Sequence, residues 1–518
     1  MKENNRIYKS IRNSTYAILG QIITIALNFI SRTIFIHTLG AIYLGINGLF
    51  TNILSVLSFA ELGFSTAIIY EMYAPLANND KKRVASLMNF YSKVYKYIGS
   101  SIFIIGIFLI PYLHFFIKDP SIIPANLPPL WIIFLLFLLN TSASYFFSYK
   151  RSIIVASQNS YIDSINQMEF NIIRNILQIS VLFFFKSFVS FLIIQLVCTF
   201  LSNVFISIKA NKLYPYLRNK KKEKINYETL HNIKKNVFAM AFNKLGGVAV
   251  SGVNNLMIAK FVGIVAVGYY SNYLLIINTI KTIFVQFFIP ITASIGNFVV
   301  TKTKEESHIL FLKLLFINAY IAIFLSICLS TLINSFIIIF WGKDFVFSTT
   351  LTLLIIFNFY IDRIRQSSQI FIDVNGLFWQ IKWRAFCEAV FTIILVSILL
   401  IKLNMEIEGV IIGTLLNNIL INLWWEGYII YKYIFKKRVL KYLLLHIKYI
   451  LVLIFCYICT SSISSLIPNS IIGFFLKTLI SIVIPNIIMI TIFYHTKEFQ
   501  YFKDILSKII THKIYNHE

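Results

Sequence analysis

The chain has little charge, and little of that charge is negative. Only 13% of its 518 residues are Asp, Glu, Lys or Arg, with 21 acids against 47 bases. A soluble domain normally carries about 25% charged residues, so this composition excludes one. Cysteine is scarce: there are five, and the one CxxC, Cys456-Tyr-Ile-Cys459, has no second pair to complete a metal site. Because it falls inside an apolar run, it reads as packing. His114 and His308 have no companions at ligand spacing, and His37 beside Gly40 offers at most a titrating group. No DxD motif of the nucleotide-sugar transferase kind occurs. These gaps argue against an enzyme and give no residue set for a cofactor.

What fills the chain is hydrocarbon. It is 58% hydrophobic with a mean hydropathy of +0.76, and falls into about fourteen apolar runs with almost no polar sequence between them. Their bounds are roughly 14 to 38, 43 to 68, 91 to 117, 129 to 149, 166 to 185, 188 to 208, 237 to 260, 266 to 290, 308 to 340, 348 to 370, 385 to 402, 409 to 430, 447 to 467 and 470 to 494. A helix of about 20 apolar residues crosses a bilayer. In hydrocarbon only a helix or a closed barrel satisfies its own backbone. The expected fold class is therefore an all-α integral membrane protein with about 14 transmembrane helices. The first run is too long for a signal-peptide core and lacks a small-x-small cleavage site, so it is expected to be retained.

Charge placement gives an orientation. Taking alternate loops as inner, those segments carry 35 Lys and Arg, whereas the outer loops carry Lys118, Lys186, Lys260, Lys343 and Lys402. Basic residues in short loops stay on the cytoplasmic side, so both termini are expected there. The same asymmetry accounts for the net charge of +26 without nucleic acid. The run Asn219-Lys-Lys-Lys-Glu-Lys224 reads as a cytoplasmic joint between two halves, beside anionic headgroups. Trp131 and Trp341 near outer ends read as an interfacial aromatic belt.

Sliding the chain against itself by 223 residues aligns Phe35-Ile-His-Thr-Leu-Gly40-Ala-Ile-Tyr-Leu-Gly45 with Ile258-Ala-Lys-Phe-Val-Gly263-Ile-Val-Ala-Val-Gly268. Both glycines coincide. Upstream, the register pairs Gln21 with Lys244, Thr24 with Gly247, Asn28 with Ser251, Ser31 with Asn254 and Arg32 with Asn255. Those spacings share one helical face, so each repeat is expected to open with a helix bearing a polar stripe. Small and amide residues also glue membrane helices together. A cation deep in a span is harder to place, since it costs at least about 2.5 to 3.5 kcal/mol on insertion scales and so faces a cavity or a partner.

The intramembrane cations are expected to be Arg32, Arg174, Lys244, Lys281, Arg363, Arg365 and Lys477, and the acids Glu61, Glu169, Asp362, Glu388 and Glu426. Asp362 stands three residues before Arg365 and four before Gln366, so part of this set is expected to pair internally. The remainder is net positive, and its natural ligand is an anion such as a phosphate or carboxylate.

Tyr43-Leu-Gly-Ile-Asn-Gly-Leu-Phe-Thr-Asn-Ile-Leu54, continuing through Phe59-Ala-Glu-Leu-Gly-Phe-Ser65 to Met72-Tyr-Ala-Pro-Leu-Ala77, resembles the second-helix region of Wzx-type bacterial polysaccharide flippases. Those flippases belong to the multidrug, oligosaccharidyl-lipid and polysaccharide exporter superfamily. Lys150-Arg-Ser-Ile-Ile-Val-Ala-Ser-Gln158-Asn-Ser-Tyr161 resembles the segment after its fourth helix, and the helix count extends the likeness over nearly the whole chain. The resemblance implies two pseudo-symmetric six-helix lobes, here residues 1 to 210 and 237 to 444, joined by the basic linker 211 to 236, with two further helices and a tail in 445 to 518. It implies export of an undecaprenyl-diphosphate-linked oligosaccharide to the outer leaflet of the bacterial plasma membrane, for capsule, exopolysaccharide or O-antigen synthesis. Polysaccharide polymerase and chain-length machinery would be partners.

On this reading Arg32, Arg174, Lys244 and Lys281 would neutralise the diphosphate. Asn28, Asn254 and Asn255 would bond sugar or phosphate oxygens, and Glu61 and Asp362 would be the sites for H+ or Na+. The alternatives are a lipid II flippase or a multidrug or cation antiporter on the same architecture. A membrane polymerase fits less well, because every expected outer loop is about a dozen residues or fewer.

Overall fold

Apolar runs of this length have one way to satisfy their backbone in lipid, and the computed structural model shows them as helices. It describes residues 2–61, 64–119, 123–124, 127–218, 230, 233–234, 237, 252–504 and 507, and they contain no strand. Ten segments among the described residues are long and apolar enough to cross a membrane. The protein is an all-α, multi-pass membrane protein. The expected span 237 to 260 lies mostly outside the described residues.

Proximity divides the chain into two units, Met1–Ser271 and Asn272–Glu518. The first holds α1 (Lys2–Leu39), α2 (Ala41–Leu57), α3 (Phe64–Ala77), α4 (Lys81–Leu109), α5 (Leu130–Ser148), α6 (Arg151–Ala156), α7 (Tyr161–Phe185) and α8 (Phe188–Leu213). Within it α1 packs on α7, α7 on α8, α8 on α5, and α5 on α4. The turn from α7 to α8 needs only Lys186, left-handed at φ 47°, and Ser187, whose hydroxyl accepts the Ser190 N–H at 3.3 Å. The boundary at residue 271 falls inside α9 (Ile264–Thr301).

The second unit continues with α10 (Lys304–Phe340), α11 (Thr349–Ile364), α12 (Gln366–Val374), α13 (Phe378–Ser397), α14 (Ile407–Phe435, with two π-helical stretches), α15 (Leu440–Ser464) and α16 (Ile471–Phe493). A capping box starts α10: Thr303 Oγ1 accepts the Glu306 N–H at 3.3 Å and Glu306 Oε2 accepts the Thr303 N–H at 3.0 Å. This 37-residue helix packs against α11, α15 and α16. Phe311, Phe371, Tyr431, Phe435 and Tyr442 form an aromatic core there.

Two expectations change. The span expected at 43 to 68 is broken, because α2 stops at Leu57, a 3-10 turn runs over Ser58–Glu61, and α3 begins again at Phe64. The break sets Glu61 against α4 and α5. Trp341, expected in an interfacial belt, is only 1% exposed and packs edge-on against Phe336, whereas Trp131 is 51% exposed. Trp341 is therefore a core residue.

The repeat has a structural meaning within the first unit. Gly40 at φ 88° separates α1 from α2, and Gly263 at φ 137° separates the π turn Ile258–Val262 from α9. Only glycine enters this region without strain. One turn on, a β-carbon at Gly45 would strike the carbonyl of Ile264, and one at Gly268 would lie 2.6 Å from that of Ala41. Residues 41 and 264, like 45 and 268, are partners at the repeat offset. The contact is thus reciprocal, as a two-fold requires.

Added bulk at a packed contact costs about 1 to 3 kcal/mol. Gly45→Ala and Gly268→Ala are expected to lower the thermal midpoint in detergent more than Gly48→Ala, whose new carbon would meet a Val267 methyl at 3.1 Å. Equal midpoints for all three would remove backbone approach as the reason for the glycines.

Candidate functional site

The polar stripe expected on α1 begins at the glycine contact. The Arg32 guanidinium donates to Ser271 Oγ at 2.5 Å, and that hydroxyl donates to the Gly268 carbonyl at 2.7 Å. Asn28 lies one turn earlier and half-buried, while Asn254 and Asn255 are each 6% exposed. Lys244, expected to face the same path, lies outside the described residues.

Glu61 sits between tyrosines. Tyr95 donates its hydroxyl to Oε1 at 2.5 Å and Tyr145 to Oε2 at 2.7 Å. The Tyr91 ring stacks edge-on against Tyr95, with centroids 4.3 Å apart. Among the described residues no cation lies within ion-pair distance of this carboxylate. These tyrosines carry no sequence signal of their own, since tyrosine is common along the chain.

In the second unit the charges form one network. Asp362 bonds Lys281 at 2.8 Å and Arg363 at 2.6 Å, with Arg365 at 3.8 Å. Arg365 grips Glu426 with both sides of its fork, at 2.6 and 2.9 Å, and donates to Asn418 at 3.0 Å. Arg384 joins Glu388 at 3.3 Å, Glu426 at 3.4 Å and Asn422 at 2.6 Å. Asn422 also donates to Glu388 and Asn418, each at 2.9 Å. The internal pair expected between Asp362 and Arg365 exists, but Asp362 is held more closely by its neighbour Arg363 and by Lys281 of α9, and Arg365 by Glu426 of α14. Lys281 and Asp362, expected to serve substrate and ion separately, hold one another. Lys477 donates to Asn469 at 2.6 Å and Ser335 at 3.1 Å.

A cleft of about 150 Å³ lies between α6, α7 and α8, lined by Arg151, Gln167, Phe170, Asn171, Arg174, Cys198, Thr199 and Ser202. Arg151 is held on one side by Asp163 at 3.5 Å and on the other by Asn203 at 3.0 Å and Ser202 at 3.3 Å. Its Nε is buried with no acceptor. Among the described residues Arg174 has neither a hydrogen bond nor a carboxylate. Arg174 was expected to line a cavity. Arg151 was missed because it lies beyond an apolar run and counts as loop charge, whereas α6 tucks it back onto α8.

No family model matches the chain, and no curated protein matches it. Solved structures do. A lipid II flippase MurJ in an inward closed conformation superposes with a TM-score of 0.62 at 16% identity, over 93% of this chain and 99% of that one. A multidrug resistance MATE family transporter of the MOP superfamily, inward-facing, gives 0.53 at 14% identity, over 80% of this chain and 98% of the other. A Vibrio cholerae MATE transporter gives 0.53 at 14%, over 84% and 98%. At these identities the likeness establishes the fold alone, one shared with these transporter structures.

Removing one partner of a buried ion pair costs about 3 to 5 kcal/mol, while replacing both by apolar residues can be neutral. Glu426→Gln is expected to lower the thermal midpoint of the purified protein sharply, and Arg365→Met with Glu426→Met to recover most of that loss. A double variant no more stable than the single would show that the network does more than neutralise itself.

Proposed function

We propose that this chain is a flippase that moves an undecaprenyl-diphosphate-linked oligosaccharide from the cytoplasmic to the outer leaflet of the bacterial plasma membrane, with both termini in the cytoplasm. The observation that carries the reading is the guanidinium of Arg174 in the first unit, which meets no carboxylate among the described residues. In the second unit Lys281, Arg363, Arg365 and Arg384 already have Asp362, Glu388 and Glu426. An arginine at membrane depth with no counter-ion among the described residues is suited to a ligand that brings the charge. The fold, shared with a lipid II flippase and MATE transporters, supports movement of a substrate across the bilayer.

A diphosphate bearing sugars cannot cross hydrocarbon unaided, because its charges and hydroxyls lose their water. A hydrated path in which Arg174 and Arg32 meet the diphosphate, and Asn28, Asn254 and Asn255 the oxygens beyond it, removes most of that cost. The polyprenyl tail stays in lipid. Rearrangement about the reciprocal glycine contact then exposes the path to one face at a time. Outward movement of an anion gains about 2.3 kcal/mol per charge per 100 mV, so an ion gradient is not energetically required. If one is used, Glu61, free of any cation among the described residues, is a better site than Asp362, which Lys281 and Arg363 occupy.

A second reading, a lipid II flippase, is favoured by the MurJ-like fold and has the same diphosphate chemistry. A drug-cation antiporter needs an available central acid; the intramembrane acids of the second unit are ion-paired, and Glu61 of the first unit is held by the hydroxyls of Tyr95 and Tyr145.

Deletion of the gene is expected to leave a diphosphate-linked oligosaccharide on the cytoplasmic leaflet and to reduce surface polymer, measured by lipid extraction and mass spectrometry. Accumulated lipid II instead would select the second reading, and unchanged lipids with normal polymer would refute both.

A further inference from the structure

We propose that the cleft between α6, α7 and α8 is a seat for the phosphoryl group of a membrane lipid, gripped by Arg151 and Arg174. Its existence stands on the geometry alone; only the identification of the lipid as the transported carrier rests on the flippase reading.

The donors fit this ligand. Arg151 is fixed before any ligand arrives, because Asp163, Ser202 and Asn203 take up its two terminal nitrogens. That leaves the buried Nε–H without an acceptor. Guanidinium forks match phosphate oxygens, and a charge-assisted bond is about twice as strong as a neutral one. Asp163 is committed to Arg151 and to Gln167, whose amide it accepts at 2.7 Å. It therefore offsets one of the two arginines, and the cleft keeps one positive charge. A cation is excluded by sign, and a neutral sugar would leave that charge unanswered. The hydroxyls of Thr199 and Ser202 and the amide of Asn171 supply further polar groups on the lining.

The surroundings point to a lipid rather than a free anion. The Phe170 ring forms a wall of the cleft and packs on Phe205 at 5.4 Å, and Phe205 is 56% exposed. Ile173 and Leu177 on α7 and Leu201 on α8 are also exposed. In a membrane such side chains meet acyl or prenyl chains, so a phosphoryl group can occupy the cleft while its tail stays on this apolar flank. The shared chemistry has two sources, a polyprenyl diphosphate or an anionic phospholipid.

The test uses the full-length protein in detergent, with undecaprenyl diphosphate, phosphatidylglycerol and uncharged undecaprenol as probes in native mass spectrometry. Arg174 makes no internal bond among the described residues, so Arg174→Gln should fold with an unchanged thermal midpoint. It is expected to weaken undecaprenyl diphosphate binding about tenfold, to leave undecaprenol unaffected, and to be partly rescued by Arg174→Lys. If phosphatidylglycerol loses affinity equally, the seat stands with a phospholipid as its occupant; if it does not, the carrier is the occupant. Wild-type affinity of Arg174→Gln for both phosphorylated lipids overturns the proposal. The deletion strain separates the two claims: normal lipids and polymer with Arg174-dependent binding would remove the flippase reading and leave the seat, and the reverse would remove the seat alone.

Discussion

A charge in hydrocarbon must find a partner or water, and this requirement organises the polar interior of the protein. Buried ion pairs are poor sources of stability, because desolvation consumes most of what attraction returns. The second unit accordingly holds its charges in a bonded network, with the two-sided grip of Arg365 on Glu426 at its centre and amides of Asn418 and Asn422 filling the gaps. The first unit answers differently. Arg32 donates to a hydroxyl, Glu61 accepts hydrogen bonds from two phenols, and Arg174 lines a polar cleft.

The reciprocal glycine contact shows a second consequence of the same solvent. Lipid is as apolar as leucine, so helices gain little by hiding apolar side chains from it and associate through close packing and interhelical hydrogen bonds. Gly45 and Gly268 allow that approach, each meeting the carbonyl that its repeat partner's neighbour presents. Gly40 and Gly263 free the chain to turn one step earlier. Side chains flank this backbone approach, with Ile264 at Gly45, Val267 at Gly48 and the Arg32–Ser271 bond beside them.

These glycines were legible in the sequence because glycine marks a demand of the backbone, and the demand recurs at a fixed offset. The helical class and most spans were legible for an equally local reason, the length of an apolar run. Pairings between helices were not. Asp362 has Arg365 three residues away, and sequence spacing finds that pair, yet the contact is 3.8 Å, and Lys281, 81 residues distant, is at 2.8 Å. Arg151 and Arg384 were hidden by the rule that located the spans. Arg151 lies just past one apolar run and Arg384 just before another, so each counts as loop charge, although one is folded onto α8 and the other reaches Glu426. Trp341 misled similarly, since nearness to a helix end does not say which way the ring points.

The position of the cations bears on energetics as well as recognition. An anion carried outward moves down the electrical gradient, so a site that binds it tightly would slow release more than help transport. If the cleft is such a site, the pairing of Arg151 with Asp163 limits that affinity. Asp163 already holds Arg151, so a phosphoryl group would meet one full unopposed charge and one shared one. Two unopposed arginines in a low dielectric would bind harder and let go later. On the proposed reading, a single net charge set on an apolar flank that accommodates the tail would allow capture from the bilayer while keeping the ligand exchangeable at each face.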